Sequence, residues 1–191
     1  IRSGGSSLGS LFVANAGIFS MPENNATATG DVIFAAGTTT FPFSNLVVGG
    51  NFIATGTVTV GTSTLTMNPS SGTKLLAVGS STLYNANIAG GTFGTVNVSA
   101  HATATNAFTI TSGTFIQASS TSLAVGGVFT NLQGGASTTW SGSLLSLYSG
   151  TSYTINTKAA GGDVYGIMKL GANTNLRSWN SSANAYQIGS G

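Results

Sequence analysis

The chain has 191 residues, of which 41% are apolar and only 4% are charged, and its formal net charge at pH 7 is +2. The five basic residues are scattered, which excludes the clustered basic patch that a nucleic-acid phosphate backbone requires. The apolar fraction is sufficient for a buried core and argues against a disordered chain.

The ends and the cysteine content of the chain bear on where the protein works. It contains no cysteine, and it begins with Ile1 and Arg2 rather than with methionine. A cysteine-free chain fits an exported bacterial protein, and such a start is expected after removal of a signal peptide or larger precursor segment, or in an excised fragment. The sequence contains no run of about 18 apolar residues, the length that would predict a membrane-spanning helix. We therefore expect an extracellular or cell-surface location.

Residues 1–30 are predicted to form an N-terminal capping or assembly segment. They begin with a Gly- and Ser-rich stretch, continue with the apolar run LFVANAGIFSM and end in the polar turn PENNATATG. An apolar strand of this kind can add to an open sheet edge of a neighbouring subunit. The candidate assembly residues are Leu11, Phe12, Val13, Ile18 and Phe19.

Residues 31–150 alternate short apolar segments with Thr or Ser and are interrupted by Gly and Asn. In the run TGTVTV, Val58 and Val60 fall on one face of a pattern of period two, and Thr57 and Thr59 fall on the other. Val and Thr are restricted at χ1 and fit a pleated surface better than a helical turn. This region is therefore predicted to consist of strands and turns, with no helix.

Three Gly-Gly-x-aromatic units recur within this region, at residues 49–52, 90–93 and 126–129, separated by 41 and then 36 residues. A period of this size indicates stacked units, and one or two coils of about 20 residues or more fit each interval. The predicted fold is all-β, a parallel β-helix or solenoid-like array. An antiparallel β-sandwich or jelly roll has the same short strands and turns and stays open as the alternative.

Stacked coils assign a role to each part of the repeated unit. Its aromatic residue is expected to face inward and to stack on its equivalents in one ladder. Its two glycines are expected to turn the corner, because Gly adopts a positive φ without steric cost. The expected ladder consists of Phe52, Phe93 and Phe129.

Residues 151–191 differ in composition and are predicted to form a β-rich C-terminal cap or module. They contain three of the five basic residues and three of the five Tyr residues. A solenoid end exposes unpaired backbone, so a cap with different side chains is expected there. Aromatic rings near this end offer flat faces on which a sugar can stack. The candidate glycan-stacking residues are Trp140, Trp179, Tyr165 and Tyr186.

The few titratable residues argue against catalysis. His101 is the only histidine, and Glu23, Asp31 and Asp163 are the only carboxylates. Glycoside cleavage needs two such groups within several Å, calcium needs several carboxylates, and transition metals need His or Cys clusters. We therefore predict no catalytic residue, no cofactor and no metal site, and expect that the protein is not an enzyme.

The segments GTSTLTM, GSSTLYNANIAGGTF, ASSTSLAVGGVF and GGASTTWSGSLLSLYSG resemble the repetitive, Thr/Ser/Gly-rich exported surface proteins of bacteria, including adhesin-like β-helices. The resemblance covers residues 30–155 and implies a structural or adhesive role outside the cell. The leading hypothesis is a non-catalytic extracellular structural protein, a subunit or segment of a surface fibre, stalk or filament. Its partners would be copies of itself or neighbouring domains of a longer chain.

Two further functions stay open from the sequence. The C-terminal aromatic residues are compatible with a carbohydrate- or surface-binding module that contacts glycans or a host surface. Thr-x-Thr motifs are compatible with an ice-binding β-solenoid, although their spacing along the chain is irregular. These motifs lie at residues 57–59, 62–64, 64–66, 103–105 and 109–111.

Overall fold

The computed structural model describes residues 7–14, 18–20, 25–40, 45–133, 137–148, 152–155, 165–171 and 175–178. Within these ranges the chain is all-β, contains no helix, and stacks its parallel strands as a β-solenoid of about six turns. This confirms the predicted parallel solenoid. The antiparallel sandwich or jelly roll is wrong, because every pairing between the described strands is parallel.

Short strands separated by corners make up each coil. In many of them an outward-facing side chain lies between two buried ones, as the alternating sequence pattern predicts. In chain order the strands are β1 (Leu11–Val13), β2 (Ile18–Ser20), β3 (Asn25–Ala28), β4 (Val32–Phe34), β5 (Thr38–Thr40), β6 (Asn45–Val48), β7 (Phe52–Ala54), β8 (Thr57–Thr59), β9 (Thr64–Met67), β10 (Ser71–Ala77), β11 (Leu83–Ala89), β12 (Phe93–Val98), β13 (Ala102–Ser112), β14 (Thr114–Gln117), β15 (Ser122–Val125), β16 (Val128–Asn131), β17 (Thr138–Thr139), β18 (Leu144–Leu147), β19 (Ser152–Ile155), β20 (Ile167–Leu170) and β21 (Asn175–Ser178).

Successive coils place these strands in two long sheets. The β1 sheet has seven strands in the order β1-β4-β7-β10-β12-β14-β17. The β3 sheet has nine strands, in the order β3-β6-β9-β11-β13-β15-β18-β20, with β16 also pairing with β13. The first three coils add a third side, the β2 sheet, which is ordered β2-β5-β8. Strands β19 and β21 form a separate pair.

Inward-facing side chains stack in columns that run along the solenoid axis. In the β3 sheet one column returns every 19 to 22 residues, which is the length of a coil. Its members are all buried, so each coil closes the apolar face of the coil before it. This column consists of Ala26, Leu46, Leu65, Ala86, Phe108 and Phe129.

The predicted ladder of Phe52, Phe93 and Phe129 is wrong. Phe52 is buried in the β1 sheet and Phe129 is buried against the β3 sheet, whereas Phe93 is 79% exposed. Phe93 starts β12 at an outward position, because a shift of one residue in a strand reverses the face that its side chains occupy. Phe52 and Phe129 each pack instead against a buried ring of the preceding coil: Phe52 against Phe34, with ring centroids 5.9 Å apart, and Phe129 against Phe108, at 6.4 Å.

The glycine pairs do not turn corners through a positive φ, contrary to the prediction. Positive φ occurs at other glycines, such as Gly61 and Gly79. A Cβ on Gly50 would lie 2.5 Å from the backbone carbonyl carbon of Gly30, and one on Gly127 would lie 2.0 Å from the backbone oxygen of Asn106. Glycine is required in the pairs at 49–50 and 126–127 because the backbones of successive coils approach closely there, whereas a Cβ on Gly91 would lie 4.0 Å from the Pro69 oxygen.

A hydrogen-bonded turn recurs at the corner that leads into the β3 sheet. The backbone N–H of its fourth residue donates to the carbonyl oxygen of its first at 3.0 to 3.3 Å. The fourth residue is always Ser or Thr, and a buried Leu follows two positions later. The four turns are Val60–Ser63, Val78–Ser81, Ala118–Thr121 and Trp140–Ser143.

Polar and aromatic side chains enter the core in the last coils. Gln117 and Asn131 continue columns that are apolar in the preceding coils, and both are buried. Strand β20 pairs in register with β18, so the β3 sheet continues past residue 150. The division of the chain into segments 1–30, 31–150 and 151–191 stays a prediction.

Candidate functional surfaces

The described residues bring together no group of three or more His, Cys, Asp or Glu side chains. Glu23 and Asp163 lie outside the described residues. The Asp31 carboxylate binds Asn51 in the next coil. Its Oδ1 accepts the backbone N–H of Asn51 at 2.7 Å and the Asn51 side-chain amide at 3.1 Å. Asn51 in turn accepts the backbone N–H of Leu75 at 2.8 Å, so Asp31 begins a ladder that joins three coils.

His101 is exposed and binds Ser122 in the next coil. Its Nδ1 lies 2.8 Å from Ser122 Oγ and accepts the Ser122 backbone N–H at 3.1 Å. Asp31, the one carboxylate among the described residues, precedes β4, whereas His101 precedes β13 three coils later. No Ser-His-Asp arrangement is assembled in that part of the chain, and the His101–Ser122 pair joins two coils.

Two of the four candidate glycan-stacking residues are core residues. Trp140 is 1% exposed and Tyr165 is 8% exposed. The Trp140 ring lies 4.9 Å from that of Phe115 and 5.1 Å from that of Tyr165, between centroids. Neither ring presents a face to a sugar, so their assignment to glycan stacking is wrong. The reason is that the inward-facing side chains of these coils form an aromatic cluster. Trp179 and Tyr186 lie outside the described residues.

The candidate assembly residues lie in the first coil of the solenoid. Leu11, Phe12 and Val13 form β1, which pairs with β4, and Ile18 and Phe19 belong to β2, which pairs with β5. Leu11 is buried, whereas Phe12 is 64% exposed. The edge of β1 away from β4 pairs with no strand in the part of the chain that the structure describes. Addition of this edge to a second subunit stays a prediction.

The outer face of the β3 sheet is polar and its side chains are bonded along the axis. One outward column runs from Asn25 through Asn45 and Thr64 to Asn85. The Asn85 side-chain amide donates to Thr64 Oγ1 at 3.2 Å, and the Asn106 amide donates to Asn85 Oδ1 at 2.7 Å. Hydroxyl and amide groups thus keep this face hydrated without charges.

The β2 sheet stacks two Thr-x-Thr motifs. Thr38 pairs with Thr57 and Thr40 pairs with Thr59, and all four side chains are exposed. The motif at 57–59 was recognised in the sequence, whereas its partner was hidden in the run Thr38–Thr40. The other Thr-x-Thr motifs lie at the corner before β9 or in β9 and β13, so the exposed array extends over two coils.

The outer face of the β1 sheet carries apolar side chains in two columns, beside polar ones such as Thr95 and Thr114. The sequence did not reveal this arrangement. One outward column contains Phe12, Ile33, Ile53 and Ala77, and the adjacent column contains Leu75, Asn97, Ile116 and Thr139. The signal in the sequence was a loss of alternation, because Ile33 and Ile53 lie in the continuous apolar runs VIF and FIA. We call the six apolar residues of these columns the outer apolar strip: Phe12, Ile33, Ile53, Leu75, Ala77 and Ile116.

Comparison with known proteins adds no relative. No family model, curated protein or solved structure matches the chain. Among the described residues, no helix is long and apolar enough to cross a membrane.

Proposed function

We propose that this chain is a non-catalytic structural protein, a rod-like subunit or segment of an extracellular fibre, stalk or filament at a bacterial surface. The observation that carries the proposal is the unbroken parallel stacking of seven strands in the β1 sheet. At about 4.8 Å between strands, this stack is about 29 Å long. A cross-section that repeats along an axis suits a spacer better than a ligand pocket.

The bonding direction supports a mechanical role. In a solenoid of parallel strands, the backbone hydrogen bonds between coils run along the axis, where a pulling force would act. Side-chain bonds such as Thr66 Oγ1 to Asn45 Oδ1, at 3.0 Å, follow the same direction. Stacking equivalent residues from coil to coil would create repulsion between like charges, and the low content of charged residues avoids it.

We further propose that subunits join end to end through the first coil. Leu11 donates its backbone N–H to the Asp31 oxygen, and Ala35 donates to the Val13 oxygen, both at 2.8 Å. Because backbone groups alternate in direction along a strand, the N–H and C=O of Phe12 face the other edge of β1. A strand from the opposite end of a second copy can pair there. Such a head-to-tail contact does not close on itself and therefore builds a filament.

The test is electron microscopy and sedimentation of the full chain, with Phe12→Pro and Phe12→Thr as a matched pair. Proline removes the N–H at the β1 edge and leaves the bonds to β4, whereas threonine keeps that N–H. We expect the wild type and Phe12→Thr to form rods longer than one subunit, and Phe12→Pro to give single subunits with an unchanged β circular-dichroism signal. Single wild-type subunits at every concentration, or rods of equal length for both variants, would refute end-to-end assembly.

A second candidate function is the binding of ordered water at an ice surface. It is favoured by the exposed two-by-two array of Thr38, Thr40, Thr57 and Thr59 on two stacked strands. An ice-recrystallisation assay tests it, with Thr57→Lys as the disrupting variant. Absence of inhibition by the wild type, or equal inhibition by Thr57→Lys, would exclude this role. The carbohydrate-binding alternative now depends on Trp179 and Tyr186.

A further inference from the structure

In the first coils the two long outer faces of the solenoid differ in polarity, whereas the later coils of the β3 sheet also expose Val128, Ile167 and Leu170. The face of the β3 sheet presents Asn and Thr that hydrogen-bond to one another. The face of the β1 sheet presents the outer apolar strip instead, and Phe12 within it is 64% exposed. Exposed apolar area costs about 25 cal/mol per Å², so a row of Phe, Ile and Leu on one face favours contact with another surface.

The chemistry around the strip limits what can cover it. Two charged side chains among the described residues belong to this sheet or its edge. Asp31 Oδ1 accepts two hydrogen bonds from Asn51, and Lys74 lies in β10 at a partly buried position in register with the buried Val96. The two charges are opposite in sign, so this face has no net charge and does not repel an identical face. Charge therefore favours a second copy of this chain over a charged macromolecule.

The spacing between side chains within the strip also favours a second copy of this chain. In the first column Phe12, Ile33, Ile53 and Ala77 follow one another at the distance between strands, about 4.8 Å. In the second column Asn97 lies between Leu75 and Ile116. Rows of side chains interdigitate best with rows of the same period, as in packed pairs of β-sheets. A second copy turned by a two-fold axis presents that period and the same apolar residues.

We infer that the outer apolar strip is a lateral docking surface at which two copies of this chain pack face to face. The β1 sheet is about 29 Å long, and a width of four residues is about 13 Å, so each copy offers about 400 Å². A total near 800 Å² is below the size of a stable interface, and we expect a dissociation constant on the order of 100 µM. Rods that present many such faces would pair far more tightly through multivalency.

This pairing extends the proposed structural role and does not depend on end-to-end assembly. The two contacts use different groups, because the first uses the backbone edge of β1 and the second uses side chains on the outer face. Phe12 takes part in both contacts, because its side chain belongs to the strip. Phe12→Pro should therefore weaken both contacts, whereas Phe12→Thr should weaken lateral pairing alone. A variant of the strip should give single, unpaired rods of normal length.

Sedimentation of the double variant Ile33→Thr/Ile53→Thr tests the inference, with Val47→Thr as the matched control. Threonine keeps the β-branched shape that suits a strand, and Val47 is an outward, partly buried position on the other sheet. We expect the double variant to associate at least about tenfold more weakly than the wild type, and the control to be unchanged. A wild type that stays monomeric up to about 1 mM, or equal association of the double variant and the wild type, would overturn the inference.

A cross-linking experiment tests the geometry even if the double variant folds poorly. The chain has no cysteine, so a single cysteine can be introduced at a chosen position. Ile53→Cys should give covalent dimers with a short bifunctional maleimide, whereas Val47→Cys should not. Equal yields from the two positions would contradict face-to-face packing through the β1 sheet.

Discussion

Replacement of Gly127 by alanine should destabilise the solenoid strongly. An added Cβ would lie 2.0 Å from the Asn106 oxygen, 2.8 Å from its carbonyl carbon and 3.1 Å from its Cα. All three are backbone atoms of the previous coil, so no flexible side chain can move aside. To bring the Cβ from 2.0 Å to an ordinary contact of 3.4 Å the two coils must separate by about 1.4 Å, which strains nearby hydrogen bonds such as Gly126 N–H to the Ala104 oxygen, at 2.8 Å.

The size of this effect follows from the bonds at risk. Loss of one or two buried backbone hydrogen bonds, at about 1–3 kcal/mol each, gives a destabilisation of about 3 kcal/mol. For a chain of this length, 1 kcal/mol corresponds to about 2–4 °C in Tm, so the expected decrease is about 6–12 °C. The assay is thermal unfolding followed by far-UV circular dichroism.

Gly9→Ala is the matched control for this prediction. A Cβ at Gly9 would have no atom within 4 Å. The substitution should leave Tm unchanged or raise it slightly, because alanine reduces the conformational freedom of the unfolded chain. If Gly127→Ala melts at the same temperature as Gly9→Ala, close approach of the coils is not the reason for glycine at position 127.

Two further substitutions test the packing of individual side chains. Phe52→Ala removes a fully buried ring and should cost about 3–5 kcal/mol, whereas Phe93→Ala, at a position that is 79% exposed, should cost less than about 0.5 kcal/mol. Urea unfolding of both variants measures this difference, and similar values would mean that the burial of these two rings is misassigned. Asn97→Val should raise stability by about 1 kcal/mol, because Asn97 Oδ1 is buried without a hydrogen-bond partner and lies in a column between Leu75 and Ile116. A lower urea midpoint for Asn97→Val would show that this oxygen has a partner in solution.

Much of the fold could be predicted from local pattern. In the run around β8, Val58 is buried and Thr57 and Thr59 are exposed, as the period of two requires. These predictions succeeded because they depend on near neighbours in the sequence, whose directions a strand determines.

The failed predictions concern relations between coils. Phe93 shares the Gly-Gly-x-aromatic motif with Phe52, yet it faces outward. The reason is that coil length varies, so the motif does not keep the same position relative to the inward-facing residues of the strand. Trp140 and Tyr165 were candidates for glycan stacking, because composition does not reveal that both rings pack in the core of the last coils. The outer apolar strip was missed for the same reason, since its residues are about 20 positions apart in sequence and adjacent only after stacking.

The sequence by itself determined that the described part of this chain forms short strands and turns rather than helices, because alternation of β-branched and polar residues leaves a helix no continuous apolar face. Only the tertiary structure decided that the strands pair in parallel, which side chains meet, which glycines allow the coils to touch and which outer face carries the outer apolar strip. The physical reason is that each of these properties depends on the register between neighbouring coils. A shift of one residue in the register of a strand reverses the face on which its side chains lie, whereas the corners absorb differences in coil length between 19 and 22 residues.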